Sequence, residues 1–352
     1  MFSGVKAVED RHKLDEAKLA AWLAVNVKGY EGPLEVFQFK GGQSNPTYRL
    51  DTPARRYVLR RKPFGKLLPS AHAVDREFKV ISALHAAGFP AAKTYGLCVD
   101  DSVIGSMFYV MEMVTGRIFW DGALPTLTPA ERTDVYAAEI ATLAQLHNYD
   151  PATIGLGDFG KPGNYFARQV ERWSKQYRAS ETGHVESMEK LMAFLPSSVP
   201  AQERVSVVHG DYRVDNMIFD ARQPKVIAVL DWELSTLGDP LADFSYFLML
   251  WHMPPASQGA GSSGIAGLDH KALGIPSIAE ACTQYCALTN RTGIPDLDWY
   301  FAFNMFRIAA ILQGIAGRLR DGTAASTMAT ETVKRIVPLA DAAWGFAKKV
   351  GA

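Results

Sequence analysis

The sequence predicts an α+β chain in two parts, a small antiparallel sheet with one inserted helix followed by a larger, mostly helical region. Three observations predict it. Short β-branched and aromatic runs alternate with turn residues up to Met113. After Gly116, apolar positions recur at helical spacing over most of the chain. One strand-like block, Val205 to Leu230, interrupts the helical texture.

The first helix should follow Asp15 as N-cap, with Leu19, Trp22, Leu23 and Val25 as its stripe. Strands are expected at Leu34 to Lys40, Tyr48 to Leu50 and Arg56 to Lys62, separated by Gly41-Gly42 and by Asp51 to Ala54. Val74, Phe78, Ile81 and Leu84 mark a helix from Val74 to His85. A strand pair, Leu97 to Val99 and Met107 to Met113, flanks the turn Asp100 to Gly105. Helices are expected at Pro129 to Asn148, Asn164 to Tyr177, Ala242 to Trp251, Ser277 to Thr289 and Leu297 to Leu319. The Gly/Ser/Pro-rich stretch Pro254 to Gly264 reads as a loop. The border between the parts lies near Met113, giving domains 1–113 and 114–352.

Composition bounds the function. Of 352 residues 48% are hydrophobic and 21% charged, which excludes disorder, collagen and coiled coil. Lys+Arg and Asp+Glu number 37 each, so no global basic field marks a nucleic-acid partner. The neutrality is a sum of unequal parts: 16 basic against 12 acidic residues up to Met113, then 21 against 25. The three cysteines lack the flanking ligands of a zinc site and suit a reducing cytosol. The N-terminal residues carry no apolar h-region, and the longest apolar run, Phe244 to Met253, is far short of the ~20 residues of a membrane span. The expectation is a cytoplasmic protein with neither membrane nor nucleic-acid partner, monomeric or homodimeric.

The chemistry is concentrated in VSVVHGDYRVDNMIFDARQPKVIAVLDW, from Val205 to Trp232. Two apolar runs deliver acidic residues at their C-terminal ends, and His209, Gly210, Asp211 and Asn216 fall on a loop flanked by strands. Phosphoryl transfer from a nucleotide needs such an array, because catalysis there is positioning and charge stabilisation. Asp211 fits the carboxylate that faces an acceptor hydroxyl. Asn216 and Asp231 fit the hard oxygen ligands of Mg2+. Arg213, on the same loop, would reach the transferring phosphoryl group. His209 is expected to orient the loop, and Asp243 to brace it through backbone amides.

The segment resembles the catalytic and magnesium loops of the kinase-like phosphotransferases, which include aminoglycoside phosphotransferases and choline kinases. HGDYRVDN corresponds to the protein-kinase pattern H-R-D-x-x-x-x-N, and the Asp of VLDWE to the Asp of D-F-G. His-Gly-Asp with Asn five positions after the Asp arises by chance on the order of once per thousand chains of this length. VLRRKP, HAVDREF, FYVMEMVTG and LDWELSTLGDPLADFSYFL are most similar to the phosphotransferase module fused to some acyl-CoA dehydrogenases. The resemblance implies a protein-kinase-like two-lobe fold, with an antiparallel-sheet N-lobe that binds nucleotide and a larger, mostly helical C-lobe. It also implies ATP or GTP as donor, Mg2+ as cofactor, and a small hydroxylated substrate.

That plan demands a strand cation paired with a helix Glu. Arg60 stands where the family pattern has Lys, with Lys62 in reserve on the same strand face, and Glu77 is the expected partner. Ser44 and Asn45 would donate to phosphates from the loop FKGGQSNPTYRL; the Glu112 carbonyl and Val114 amide would meet the base. Glu233 fits either a second magnesium or a bracing carboxylate. The acceptor-side helix from Asn164 to Tyr177 carries Arg168, Arg172 and Lys175 with Trp173 and Tyr177, a face suited to an anionic substrate such as a hydroxyacyl-CoA. Two other readings stand beside the enzyme: a catalytically silent nucleotide-binding or scaffold module derived from a kinase, and a metal-dependent hydrolase built on His209 and Asp211.

Overall fold

The structure is a computed structural model that describes residues 4–40, 45–63, 73–255, 264–322 and 329–352. Its strands are β1 (Val5–Lys6), β2 (Glu35–Phe39), β3 (Thr47–Asp51), β4 (Arg56–Arg61), β5 (Thr94–Cys98), β6 (Phe108–Glu112), β7 (Ser206–Val208), β8 (Met217–Phe219), β9 (Val226–Val229) and β10 (Thr236–Gly238). Its helices are α1 (Glu16–Asn26), α2 (Val74–Ala86), α3 (Pro129–Asn148), α4 (Tyr165–Ser180), α5 (Glu186–Phe194), α6 (Leu241–Leu248), α7 (His270–Leu273), α8 (Ile278–Thr289), α9 (Leu297–Arg320), α10 (Ala329–Val333) and α11 (Ile336–Lys349).

Two compact units emerge. The smaller takes Met1–Arg117 and adds Ile154–Phe159 and Met217–Ser235; the larger takes Ile118–Thr153, Gly160–Asn216 and Thr236–Ala352. The first crossing lies close to the border expected at Met113, but the strand pair leading to Asp231 belongs to the smaller unit.

In the smaller unit the sheet runs β1-β2-β3-β4-β6-β5, antiparallel throughout. Alternation buries Tyr48 and Leu50 of β3 with Tyr57 and Leu59 of β4 against Leu19 and Leu23 of α1. Asp15 caps α1, accepting from the Lys18 amide at 3.1 Å. Val25 departs from the expected stripe: it is 85% exposed, because the helix turns it away from the face that carries Leu19 and Leu23. β8 and β9 form a second antiparallel pair. They are tied in by the Val229 amide on the Pro90 carbonyl (2.8 Å), by the Arg117–Phe219 bridge, and by the Trp232 ring against Phe89 (centroids 5.8 Å apart).

The larger unit is organised on α9, whose apolar side chains from Trp299 to Phe306 are buried and against which α4, α6 and α11 pack. Capping boxes start α3 (Thr128 with Glu131) and α8 (Ser277 with Glu280). β7 pairs antiparallel with β10, Val207 opposite Leu237. The helix expected from Ala242 to Trp251 stops at Leu248 and tightens into a 3₁₀ turn over Met249–His252. Most of the 254–264 stretch lies outside the described residues. Among the described residues, no helix is long and apolar enough to cross a membrane.

Candidate active site

In the larger unit, β7 ends in His209-Gly210-Asp211. Gly210 has φ +88°, a left-handed backbone that only glycine adopts without strain, which explains the glycine of the motif. Asp243, near the start of α6, accepts from the amides of His209 (2.5 Å) and Gly210 (2.8 Å) and so fixes the turn, as its place in the sequence suggested. His209 orients the loop from within, its Nδ1 accepting from the Asp211 amide at 3.1 Å.

The Asp211 side chain is 23% exposed and ringed by donors. The Tyr246 hydroxyl donates to Oδ1 at 2.6 Å, Arg213 Nε lies 3.3 Å from the same oxygen, and Asn216 Nδ2 donates to Oδ2 at 3.1 Å. Burial alone would raise this carboxyl; Arg213, the Tyr246 hydroxyl and Arg307 outweigh it and hold Asp211 below the usual carboxylate value. Asn216 Nδ2 also donates to the Asp211 carbonyl at 2.9 Å, which leaves the amide oxygen Oδ1 as the group free to meet a cation. Arg213 is pinned a second time, to Asp215 at 3.1 Å.

In the smaller unit the roles invert. Arg60 Nε meets Glu77 at 2.9 Å, and its Nη2 reaches Asp231 at 2.9 Å and Glu233 at 3.3 Å. Burial would weaken this guanidinium's hold on its proton, but Glu77, Asp231 and Glu233 raise it above its ordinary value. Glu77 is 2% exposed and also accepts from Asn45 Nδ2 (2.8 Å) and the Tyr109 hydroxyl (3.0 Å). Burial pushes its carboxyl up, against the pull of Arg60. Arg60 thus occupies the position between acids, whereas among the described residues the Lys62 ammonium pairs with Asp75 at 3.9 Å. Arg61 points to the opposite face, its guanidinium 5.9 Å from the Tyr48 ring. Asp231 sits at φ +64°, an unusual backbone for a residue with a side chain, of the kind that collects at functional positions.

The remaining candidates fall in different settings. Asn45 is fully buried and its side-chain amide donates to Glu77 at 2.8 Å, so it holds the acid. Ser44 lies outside the described residues. Glu112 ends β6 opposite Tyr57, its amide donating to the Lys93 carbonyl at 2.7 Å, and Val114 follows, half-buried. On the basic face of α4, Arg168 bonds the carbonyls of Gly163 and Lys161, exposed Lys175 pairs with Glu171 at 2.5 Å, exposed Arg172 lies 5.2 Å from the Trp173 ring, and Trp173 and Tyr177 are buried. The cations around Asp211 come from elsewhere. Arg307 of α9 donates to the Gly210 carbonyl at 2.6 Å and stacks 5.5 Å from the Tyr246 ring. Arg335, just before α11, is half-buried; burial lowers its guanidinium, Tyr246 opposes this, and the Arg213 charge adds to it. Sequence reasoning missed Tyr246 and both arginines. The available signals were a tyrosine three positions after Asp243 and a lone cation inside the apolar run of α9.

Comparison with known proteins identifies the family and the fold. Residues 35–271 match the model of the phosphotransferase enzyme family. Mouse acyl-CoA dehydrogenase family member 10 is 46% identical over 323 residues, 91% of this chain and 30% of that protein. The chain spans 30% to 45% of the length of the family members 10 and 11 it matches. A crystal structure from Ralstonia eutropha JMP134, of a protein provisionally named an aminoglycoside phosphotransferase, is 50% identical with TM-score 0.87, covering 96% of this chain and 99% of that one. At 14% identity and TM-score 0.58, a thermostable aminoglycoside phosphotransferase APH(4)-Ia in complex with ADP and hygromycin B shares the fold, over 94% of this chain and 98% of its own. The antiparallel sheet and helical remainder are therefore the kinase-like fold, and the chain belongs to the phosphotransferase enzyme family, as a small-molecule kinase that acts on a hydroxyl group.

Proposed function

We propose that this kinase transfers the γ-phosphoryl group of ATP or GTP, with Mg2+, to a hydroxyl of an anionic small molecule, a hydroxyacyl-CoA being the best match. The observation that carries the reading is the state of Asp211, a carboxylate held ionised and oriented by Tyr246, Arg213 and Asn216. A silent binding module has no use for such a base. The acceptor O–H would hydrogen-bond to Asp211, its oxygen forming a bond to the γ-phosphorus as the bond to the bridging oxygen breaks and leaves with the nucleoside diphosphate; the proton passes to Asp211. Arg213 would neutralise charge on the transferring group. Asn216 through Oδ1 and Asp231 through its carboxylate are the hard oxygens suited to Mg2+, which supplies charge neutralisation at the phosphates. Arg60, held by Glu77, would meet the α- and β-phosphates, and the backbone at Glu112 and Val114 the base.

Support for an anionic acceptor comes from Arg335, half-buried beside Tyr246 and Arg213. The acyl-CoA acceptor draws on the names of the relatives, which carry this module within longer chains. The test is Mg2+-dependent turnover of ATP and GTP against hydroxyacyl-CoA thioesters, neutral alcohols and aminoglycosides. Transfer to the thioesters is expected, reduced at least ~100-fold in Asp211→Asn. Undiminished transfer by that variant would remove Asp211 from the mechanism, and selective transfer to aminoglycosides would remove the anionic acceptor.

A further inference from the structure

Helix α6 meets the catalytic loop twice within one turn. Asp243 takes the amides of His209 and Gly210, and Tyr246, three residues on and therefore on the same helical face, donates its phenol to Asp211 Oδ1 at 2.6 Å. We propose that Tyr246 is a positioning residue for phosphoryl transfer: it fixes the Asp211 carboxylate so that Oδ2 is the oxygen presented to the acceptor hydroxyl. The inference rests on reading Asp211 as the acceptor-side base.

Three observations carry it. The contact has the short length of a charge-assisted O–H···O⁻ bond. The ring is held from its other side by the Arg307 guanidinium at 5.5 Å, itself anchored on the Gly210 carbonyl and 5.8 Å from the Trp173 ring. The two oxygens are unequally engaged: Oδ1 takes the 2.6 Å bond from Tyr246 and faces the Arg213 charge at 3.3 Å, whereas Oδ2 takes the 3.1 Å bond from Asn216 among the described residues, so Oδ2 is the less engaged oxygen. Burial and the neighbouring carboxylate push the phenol of Tyr246 above its ordinary value, so it gives a hydrogen bond and keeps its proton. The charged and titratable groups facing this pair are His209 and Arg213 on the loop, Asp215 behind Arg213, Arg307 of α9, and Arg335 before α11.

With Mg2+, ATP and a hydroxyacyl-CoA, Tyr246→Phe should lower kcat about tenfold and leave the nucleotide KM unchanged. Site-specific 3-fluorotyrosine at position 246 keeps the ring and the hydroxyl and should hold kcat near the wild-type value. A crystal structure of Tyr246→Phe should show the Asp211 carboxylate rotated from its wild-type setting with the loop backbone unmoved. An unrotated carboxylate in Tyr246→Phe overturns the proposal, as does a kcat equal to wild type or a kcat loss matched by a rise in the nucleotide KM. Failure of the wild type to phosphorylate any acceptor would count against the proposed function instead, and the setting of the carboxylate in the variant would still decide the role of Tyr246.

Discussion

The two units solve the same electrostatic problem with opposite signs. Around Arg60 one cation is shared among Glu77, Asp231 and Glu233, and the acid that anchors it is 2% exposed. Around Asp211 one carboxylate is shared among Arg213, Tyr246 and Asn216, with Arg307 behind the loop. In the roles proposed for them, a cation that meets phosphates needs surrounding acids to stay fixed, and a base facing a hydroxyl needs donors to stay ionised at modest exposure. Each cluster would therefore keep the charge its proposed role calls for, and each is vulnerable to loss of the central residue in its own way.

Removing the centre of the smaller unit's cluster should have the largest effect. Arg60→Ala strands Glu77 beside two further acids and should destabilise that unit by about 3 kcal/mol, with Arg60→Lys recovering part of it. Urea denaturation followed by tryptophan fluorescence measures the loss, and a stability equal to wild type would mean that Glu77 simply takes up a proton. The contrast sharpens against Asp239, a second buried carboxylate of the larger unit. It is 3% exposed and, among the described residues, its side chain accepts only from the Leu241 amide at 2.9 Å, and burial raises it to about 6. A carboxyl whose folded value lies above its unfolded one binds its proton better when folded. Its stabilising contribution is therefore full below the unfolded value, near 3.8, and is lost as pH rises to about 6. Asp239→Asn should flatten that decline and leave the variant roughly 2 kcal/mol more stable than wild type at pH 7. Thermal unfolding across pH 4 to 7 reads this, and parallel curves for the two proteins would refute it. The smallest effect is expected from Arg335→Ala: KM for an anionic acceptor should rise about fivefold, while the melting temperature stays within about 1 °C. An unchanged KM would place the acceptor's charge elsewhere.

How much of this was legible in the sequence follows from the range over which each signal acts. Asp15, Thr128 and Ser277 cap helices through bonds to residues three positions away, so the helix starts could be read locally. Asp211, Asn216 and Asp231 lie within 21 residues and share one strand–loop pattern, which made their chemistry recognisable. Glu77 was legible because Arg60 supplied a reason for a carboxylate on that face of α2. The short strands β1 and β10 were not, since two or three residues hold no period. Neither were α5 and α11, whose apolar positions are diluted by polar ones and gain their meaning only by packing with each other and with α9. Arg307 reaches the loop from 97 residues away, and the partner of a cation in an apolar helix is fixed by the tertiary fold alone. The α4 face has the same limit: composition shows where bases occur, and only the fold shows that Arg168 bonds backbone carbonyls and Lys175 pairs with Glu171.

The path of the chain has a practical corollary for dissecting this enzyme. Met217–Ser235 is threaded into the smaller unit although it lies a hundred residues beyond Arg117. A fragment cut after Arg117 would lose β8 and β9, and with them the acceptor for the Arg117 amide, the donor to the Pro90 carbonyl and the Trp232 ring that covers Phe89. The larger unit, for its part, would have to bridge the excised strands with a linker. A minimal protein for the smaller unit therefore has to join the first 117 residues to both Ile154–Phe159 and the Met217–Ser235 hairpin, and library designs that shuffle the units at one crossover would separate Asp231 from the arginine it is paired with.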